Sequence, residues 1–199
     1  VIDYTITDGD GDTSSAQLTV TVEADSTPEI TVTGSGGSVQ DAEAEGVLED
    51  TTTGGIDLEL GNDTPAATLT ITDANGVDVN VIDGGTVTGE YGTLTVTGPD
   101  ANGDYSWTYT LTDPQTHGGP GTPTDAVLSE SFAIAGTDSD GDAFAASIAV
   151  NVEDDTPTAV NDGTTTAEDT AVTVDVVDND DQGADGATLT SAAMAVGSE

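Results

Sequence analysis

Apolar and polar residues alternate with a period of two along most of the chain. Tyr105, Trp107, Tyr109 and Leu111 interleave with Ser106, Thr108, Thr110 and Thr112, the pattern of a strand with one face buried. The same alternation runs through Ile30/Val32, Ile56/Leu58/Leu60, Leu69/Ile71, Val77/Val79/Val81, Leu94/Val96, Phe132/Ile134 and Ile148/Val150/Val152. Thr and Val dominate these runs, as strands favour, and Gly, Asp and Asn cluster between them as turn residues. No stretch keeps a helical period. The predicted fold class is therefore all-β, and short strands at regular spacing predict antiparallel β-sandwiches. Tyr91, Tyr105, Trp107 and Tyr109 would also suit a sugar-stacking platform, but burial of one face against an opposing sheet explains their spacing more simply.

Part of the pattern occurs twice. Tyr4-Thr5-Ile6-Thr7, the cluster Asp8-Gly9-Asp10-Gly11-Asp12 and the run Leu18 to Glu23 are echoed by Phe132 to Ala135, Asp138-Ser139-Asp140-Gly141-Asp142 and Ile148 to Glu153. Asp8 and Asp138, Asp12 and Asp142, and Glu23 and Glu153 are all 130 residues apart. Each block runs into an acidic linker ending in Pro28 or Pro157. A weaker echo relates Glu49-Asp50-Thr51 and Asn62-Asp63 to Glu168-Asp169-Thr170 and Asn179-Asp180. The repeat predicts three parts: the closing hairpin of one unit over 1–25, a complete sandwich over 26–155, and the opening of a third unit over 156–199. The start at Val1-Ile2-Asp3-Tyr4 reads as mid-domain, so the chain is expected to belong to something longer. Donation of these ends between copies in a fibre would leave a unit without its middle strands, which favours a tandem array in one chain.

Charge narrows the function. The 199 residues carry 39 Asp and Glu, no Lys or Arg and one His, for a formal charge of −39. Self-repulsion on this scale opposes compaction, and with no cationic side chains the carboxylates need divalent metal or salt. Nucleic-acid binding lacks the cations that displace phosphate counterions, a P-loop lacks its lysine, and Schiff-base or lysine isopeptide chemistry has no nucleophile. No cysteine is present, so disulfides and thiolate sites are excluded, and bound metal is the expected staple. No apolar run is long enough to cross a membrane.

The acidic clusters supply candidate ligands. Calcium takes six to eight oxygens, and Asp-x-Asp-Gly-Asp puts three carboxylates on one tight loop, at Asp8, Asp10 and Asp12 and again at Asp138, Asp140 and Asp142. Asp-Gly is also a plain hairpin signal, but a turn does not require three acids. An EF-hand is excluded, because position 19 is Thr and position 149 is Ala where its Glu would stand; the glycine-rich nonapeptide of β-rolls is absent too. In a tandem array the chain enters a unit at one end and leaves at the other. The last strand, near 143–152, would cover roughly 25–35 Å at about 3.3 Å per residue. The 138–142 loop should then lie beside the incoming linker, Glu23 to Asp25, while Glu49 and Asp50 should lie beside the outgoing linker, Glu153, Asp154 and Asp155. Calcium at such junctions would align neighbouring units. His117 sits in a Gly- and Pro-rich loop with no partner spacing for a triad or zinc site and is expected to be exposed. Asp/Glu pairs suited to glycoside hydrolysis are unavoidable at this acid content, so no enzyme activity is expected.

Two longer stretches resemble known repeats. Gly89 to Val96 followed by Asn102 to Leu111 resembles the VCBS-type repeat, and Thr158-Ala159-Val160-Asn161-Asp162, Glu168-Asp169-Thr170 and Val177 to Asp180 resemble the opening of cadherin-like adhesin modules. Such modules are found in large bacterial adhesins of the RTX type, exported by type I secretion. The resemblance implies tandem Ig-like or cadherin-like sandwiches that bind calcium on a bacterial cell surface and extend an adhesive tip, for cell adhesion or biofilm. Expected partners are neighbouring repeats of the same chain, and other copies in a fibre or biofilm, with neither nucleic acid nor inserted membrane. The alternative function is a glycan- or ligand-binding module using the loops near 113–125 or the aromatic strand.

Overall fold

The computed structural model describes residues 1–41, 51–113, 115–118, 127–183 and 187–192; Glu49 and Asp50 lie outside them. The described residues form strands and no helix. The strands are β1 (Ile2–Thr7), β2 (Thr13–Leu18), β3 (Glu29–Thr33), β4 (Gly37–Asp41), β5 (Thr51–Glu59), β6 (Thr68–Thr72), β7 (Asp78–Asn80), β8 (Gly85–Thr88), β9 (Gly92–Thr97), β10 (Tyr105–Leu111), β11 (Leu128–Thr137) and β12 (Ala143–Asp154).

Ten of them build two five-stranded sheets, ordered β3-β5-β10-β9-β8 and β4-β12-β11-β6-β7, while β1 and β2 pair only with each other. Every pairing is antiparallel except β4 with β12. The two sheets face one another across a single apolar core. Tyr105, Trp107, Tyr109 and Leu111 of β10 point into it, as their alternation predicts, and Tyr109 meets Phe132 of the opposite sheet with ring centroids 6.1 Å apart. The ladder is therefore core packing. Its polar tips are satisfied, as buried Tyr and Trp require: Tyr105 Oη donates to the Ile82 carbonyl at 3.0 Å, Trp107 Nε1 to the Thr33 carbonyl at 3.2 Å, and Tyr109 Oη to Glu130. The Trp107 ring packs against Gly54, where a Cβ would collide with it. Val77 departs from the expected alternation. The strand there shrinks to Asp78–Asn80, and Val77, exposed, belongs to the preceding turn.

The strand that opens the two sheets, β3, passes half-way into the other sheet as β4. After Thr33 the chain turns through Gly34 and Gly36, both at positive φ, a conformation glycine adopts without steric cost. It then continues as β4, parallel to β12, until Asp41 stands opposite Asp154. β5 returns along β3 to the end where the chain enters. The connection to β6 therefore lies beside the β11–β12 loop, with Thr68 opposite Thr137. Glu23 to Ser26, the 60–67 connection and the 138–142 loop share one end of the sandwich-like body. Asp41, Asp154 and Asp155 mark the other.

The β1–β2 hairpin repeats the β11–β12 hairpin pair for pair. Ile2↔Leu18, Tyr4↔Ala16 and Thr7↔Thr13 match Phe132↔Ile148, Ile134↔Ala146 and Thr137↔Ala143. Burial separates them: Ile2 and Tyr4 are 57% and 51% exposed, Phe132 and Ile134 only 2% and 1%. Among the described residues, neither 1–25 nor 156–183 builds a second pair of sheets; the latter holds one isolated bridge, Thr158 to Asp181.

Candidate metal centre

The acidic loops are hairpin turns of one kind, and four of them stand among the described residues. In each, the first Asp and the fifth residue close the loop through an amide-to-carbonyl bond: Asp8 to Asp12 at 3.0 Å, Asp73 to Val77 at 2.9 Å, Asp100 to Asp104 at 2.8 Å and Asp138 to Asp142 at 3.0 Å. In each, Oδ1 of the first Asp accepts the amide of the fifth residue, at 2.8–3.1 Å. The fourth residue is always Gly at positive φ: Gly11, Gly76, Gly103 and Gly141. The first carboxylate and the glycine are thus what the turn itself requires. Only the third and fifth positions distinguish a metal loop from a plain one. The 73–77 loop has Asn75 and Val77 there. In the 100–104 loop they are Asn102 and Asp104, and Asp104 Oδ1 accepts the Leu58 amide at 3.1 Å. Asp10, Asp12, Asp140 and Asp142 are surplus to the turn.

Three carboxylate groups among the described residues can hold a metal ion, each with its ligand atoms within 4.8 Å of one another: Asp8, Asp10 and Asp12; Asp138, Asp140 and Asp142; and Asp25, Asp63 and Asp140. The third group joins the incoming linker, the β5–β6 connection and the β11–β12 loop. Linker and loop do lie together, and the contact is specific. Ser26 Oγ donates to Asp63 Oδ2 at 2.6 Å and accepts the Asn62 amide at 3.2 Å. Asn62 Nδ2 donates to Glu23 Oε2 at 3.0 Å, and the Ser139 amide donates to the Asp63 carbonyl at 3.1 Å. Gly61, at positive φ, leaves room for Ser26, which would collide with a side chain there.

Electrostatics single out the same place. Asp138 is fully buried. Burial pushes its carboxyl up, but hydrogen bonding with Asp140 and the amides of Asp142, Gly141 and Asp140 holds it below the ordinary value. Asp140 carries the counterpart: sharing a proton with Asp138, then desolvation, then Asp25 push it up to about 6. Carboxylates crowded this closely cannot all stay charged without a proton or a cation between them. In the 8–12 loop, hydrogen bonding with the Asp10 side chain and then the Asp12 amide lowers Asp8, and the whole triad is exposed.

No family model, no curated protein and no solved structure matches this chain.

The remaining expected ligands are placed differently. Glu23 joins no metal group among the described residues and accepts a hydrogen bond from Asn62 instead. Glu153, Asp154 and Asp155 end β12 or follow it and form no ligand group among the described residues; Glu49 and Asp50, their expected neighbours, lie outside those residues. Beside the expected Asp25 and Asp140, the described junction gathers Asp63, which is not among the expected ligands although the weak Asn62-Asp63 echo falls on it.

His117 corrects an expectation. It is buried, 5% exposed, with Nε2 3.3 Å from Asp41 Oδ2. Asp41 also accepts the Gln115 amide. Burial, the largest influence, pushes the Asp41 carboxyl up, against the pull of the Gln115 amide and the imidazole. A Gly- and Pro-rich loop reads as solvent-exposed, but here it folds its imidazole onto an acid at the end of β4. The chain's one His thus serves a buried contact and reaches no metal group among the described residues.

Proposed function

We propose that this chain is an extender segment of a bacterial surface adhesin or extracellular fibre: a tandem array of Ig-like or cadherin-like β-sandwiches, stiffened by calcium at the joints and projecting a binding domain. The observation that carries the reading is the meeting of linker, 60–67 connection and 138–142 loop around Asp25, Asp63 and Asp140. A cation there ties the entering chain to the body of the sandwich. Without it, the linker meets acids that repel it. The donors are carboxylate oxygens alone, with no imidazole or thiolate, which favours a hard cation such as calcium. The matched registers of β1–β2 and β11–β12 support a repeating unit, and the exposed face of β1–β2 is what a closing hairpin presents when it lacks an opposing sheet.

The glycan-binding alternative loses its aromatic strand, since Trp107 and Tyr109 are buried. Extension away from a cell, with neighbouring repeats as the principal partners, remains the function this architecture fits.

The test is a melting curve across a calcium titration. Calcium at one hundred times its dissociation constant adds about 2.7 kcal/mol, a rise in Tm on the order of 5–10 °C for a chain of this size. A shift below about 1 °C at millimolar calcium removes the basis of the reading.

A further inference from the structure

Asp140 belongs to two of the three ligand groups, and this sharing has a consequence beyond a cation at the joint. One group, Asp138, Asp140 and Asp142, lies within the β11–β12 loop; the other, Asp25, Asp63 and Asp140, spans three separate parts of the chain. Ligand oxygens about 2.3–2.6 Å from a calcium ion lie at most roughly 5 Å apart, so the 4.8 Å limit within each group fits one ion per group. A carboxylate has two oxygens and can give one to each.

Acid clustering alone would not make this a site. The second observation is Asp138. Its side chain is fully buried, its Oδ1 is taken by the amides of Gly141 and Asp142 at 3.0 and 2.8 Å, and no N–H or hydroxyl donor among the described residues reaches its Oδ2. A buried carboxylate oxygen without a donor costs free energy, and Asp138 stands in the loop group with Asp140 and Asp142. The turn explains one oxygen of Asp138 and leaves the other for a ligand.

We propose that this end binds two divalent cations sharing Asp140: an inner ion on Asp138, Asp140 and Asp142, and an outer ion on Asp140, Asp63 and Asp25 that grips the linker. The inference rests on the reading of this end as a cation-held joint and adds its stoichiometry and its order of assembly. The inner ligands come from one preformed turn and lose little conformational freedom on binding. The outer ligands must bring the linker in, so the outer ion depends on an Asp140 already fixed by the inner one. Joint closure is thereby made conditional on loop occupancy. The 8–12 loop has the inner triad without counterparts of Asp63 and Asp25 among the described residues.

The experiment is calcium calorimetry on the 199-residue chain, beside cleavage after Glu23 by a glutamate-specific protease. Asp63→Asn should lower the number of bound ions by one, abolish calcium protection of Glu23 and leave the near-ultraviolet signal of Trp107 intact. Asp25→Asn, in the linker and outside both sheets, should do the same and serves if Asp63→Asn alters that signal. Asp140→Asn should lower the number by two. Unchanged stoichiometry in both Asp63→Asn and Asp25→Asn overturns the outer ion, and a loss of only one in Asp140→Asn overturns the sharing. If the unaltered chain binds no calcium, the cation-held joint itself falls, a different result from either.

Discussion

Two hairpins of this molecule are built alike and placed unlike. β1–β2 and β11–β12 share register pair for pair, and their loops share the closing bond, the Asp turn and the left-handed glycine. Yet every residue of β1 and β2 is exposed, whereas β11 and β12 form the middle of a sheet and carry the core. The loops differ in the same way: Asp8 is exposed and Asp138 buried. The motif specifies a turn and a local triad. The joint comes from what packs on the loop, namely Asp63 and the linker.

The largest test of that difference lies in the strands. Phe132→Ala removes a ring that packs against Tyr109 across the core and should cost about 3–5 kcal/mol. Ile2→Ala, at the matching position, should change the stability of the body by less than about 0.5 kcal/mol. Urea denaturation followed through Trp107 measures both. Equal losses would mean that β1–β2 is packed in solution.

The loops give the next effect. Asp138→Ala removes the acceptor of two loop amides and a buried candidate ligand, so it should lower Tm on the order of 5–10 °C in calcium and erase most of the calcium-induced rise. Asp8→Ala should leave the main transition in place. Paired melting curves in calcium and in chelator decide it, and a calcium-induced rise that survives in Asp138→Ala would place the responsive site elsewhere.

How much of this can be read from the sequence differs by element. The period of two marks β10 and the inward face of Tyr105 to Leu111, because strand sidedness is a local property. The 130-residue offset marks both acidic loops, because the turn needs its Asp and Gly in fixed order. Asp63 is another matter. It sits in a polar Asn-Asp-Thr-Pro stretch like any loop, and only the pairing of β6 with β11 carries it to the 138–142 loop. His117 escapes for the same reason: its partner Asp41 belongs to a strand that enters the second sheet only after a glycine turn. Contacts made by non-local pairing have no local signature.

The third effect is a pH dependence of the packed loop. In chelator, Asp140 is raised from 3.8 to about 6 by the proton it shares with Asp138, then by desolvation and Asp25. Between those values the folded chain binds more protons at this group than the unfolded chain. Its contribution to stability is therefore full below about 3.8, and it is lost as pH rises through about 6. Tm in chelator should fall by a few degrees between pH 5 and pH 7, and Asp140→Asn should flatten that slope. A slope that survives in Asp140→Asn would place the responsible group elsewhere.

The smallest expected effect tests the linker itself. Ser26 Oγ donates to Asp63 Oδ2 and the Leu60 carbonyl and accepts the Asn62 amide, so Ser26→Ala deletes all three contacts while leaving every carboxylate in place. One net hydrogen bond is worth about 0.5–1.5 kcal/mol, a loss on the order of 2–4 °C in Tm. If a cation is the principal clasp, calcium should restore most of the lost protection at Glu23, and small-angle scattering in calcium should show the same extended shape as the unaltered chain. If Ser26→Ala instead loosens the joint equally with and without calcium, the hydrogen bonds hold the linker, and the acids around it only tune how tightly. The comparison of the two hairpins would then turn on a serine beside the packed loop, rather than on an ion within it.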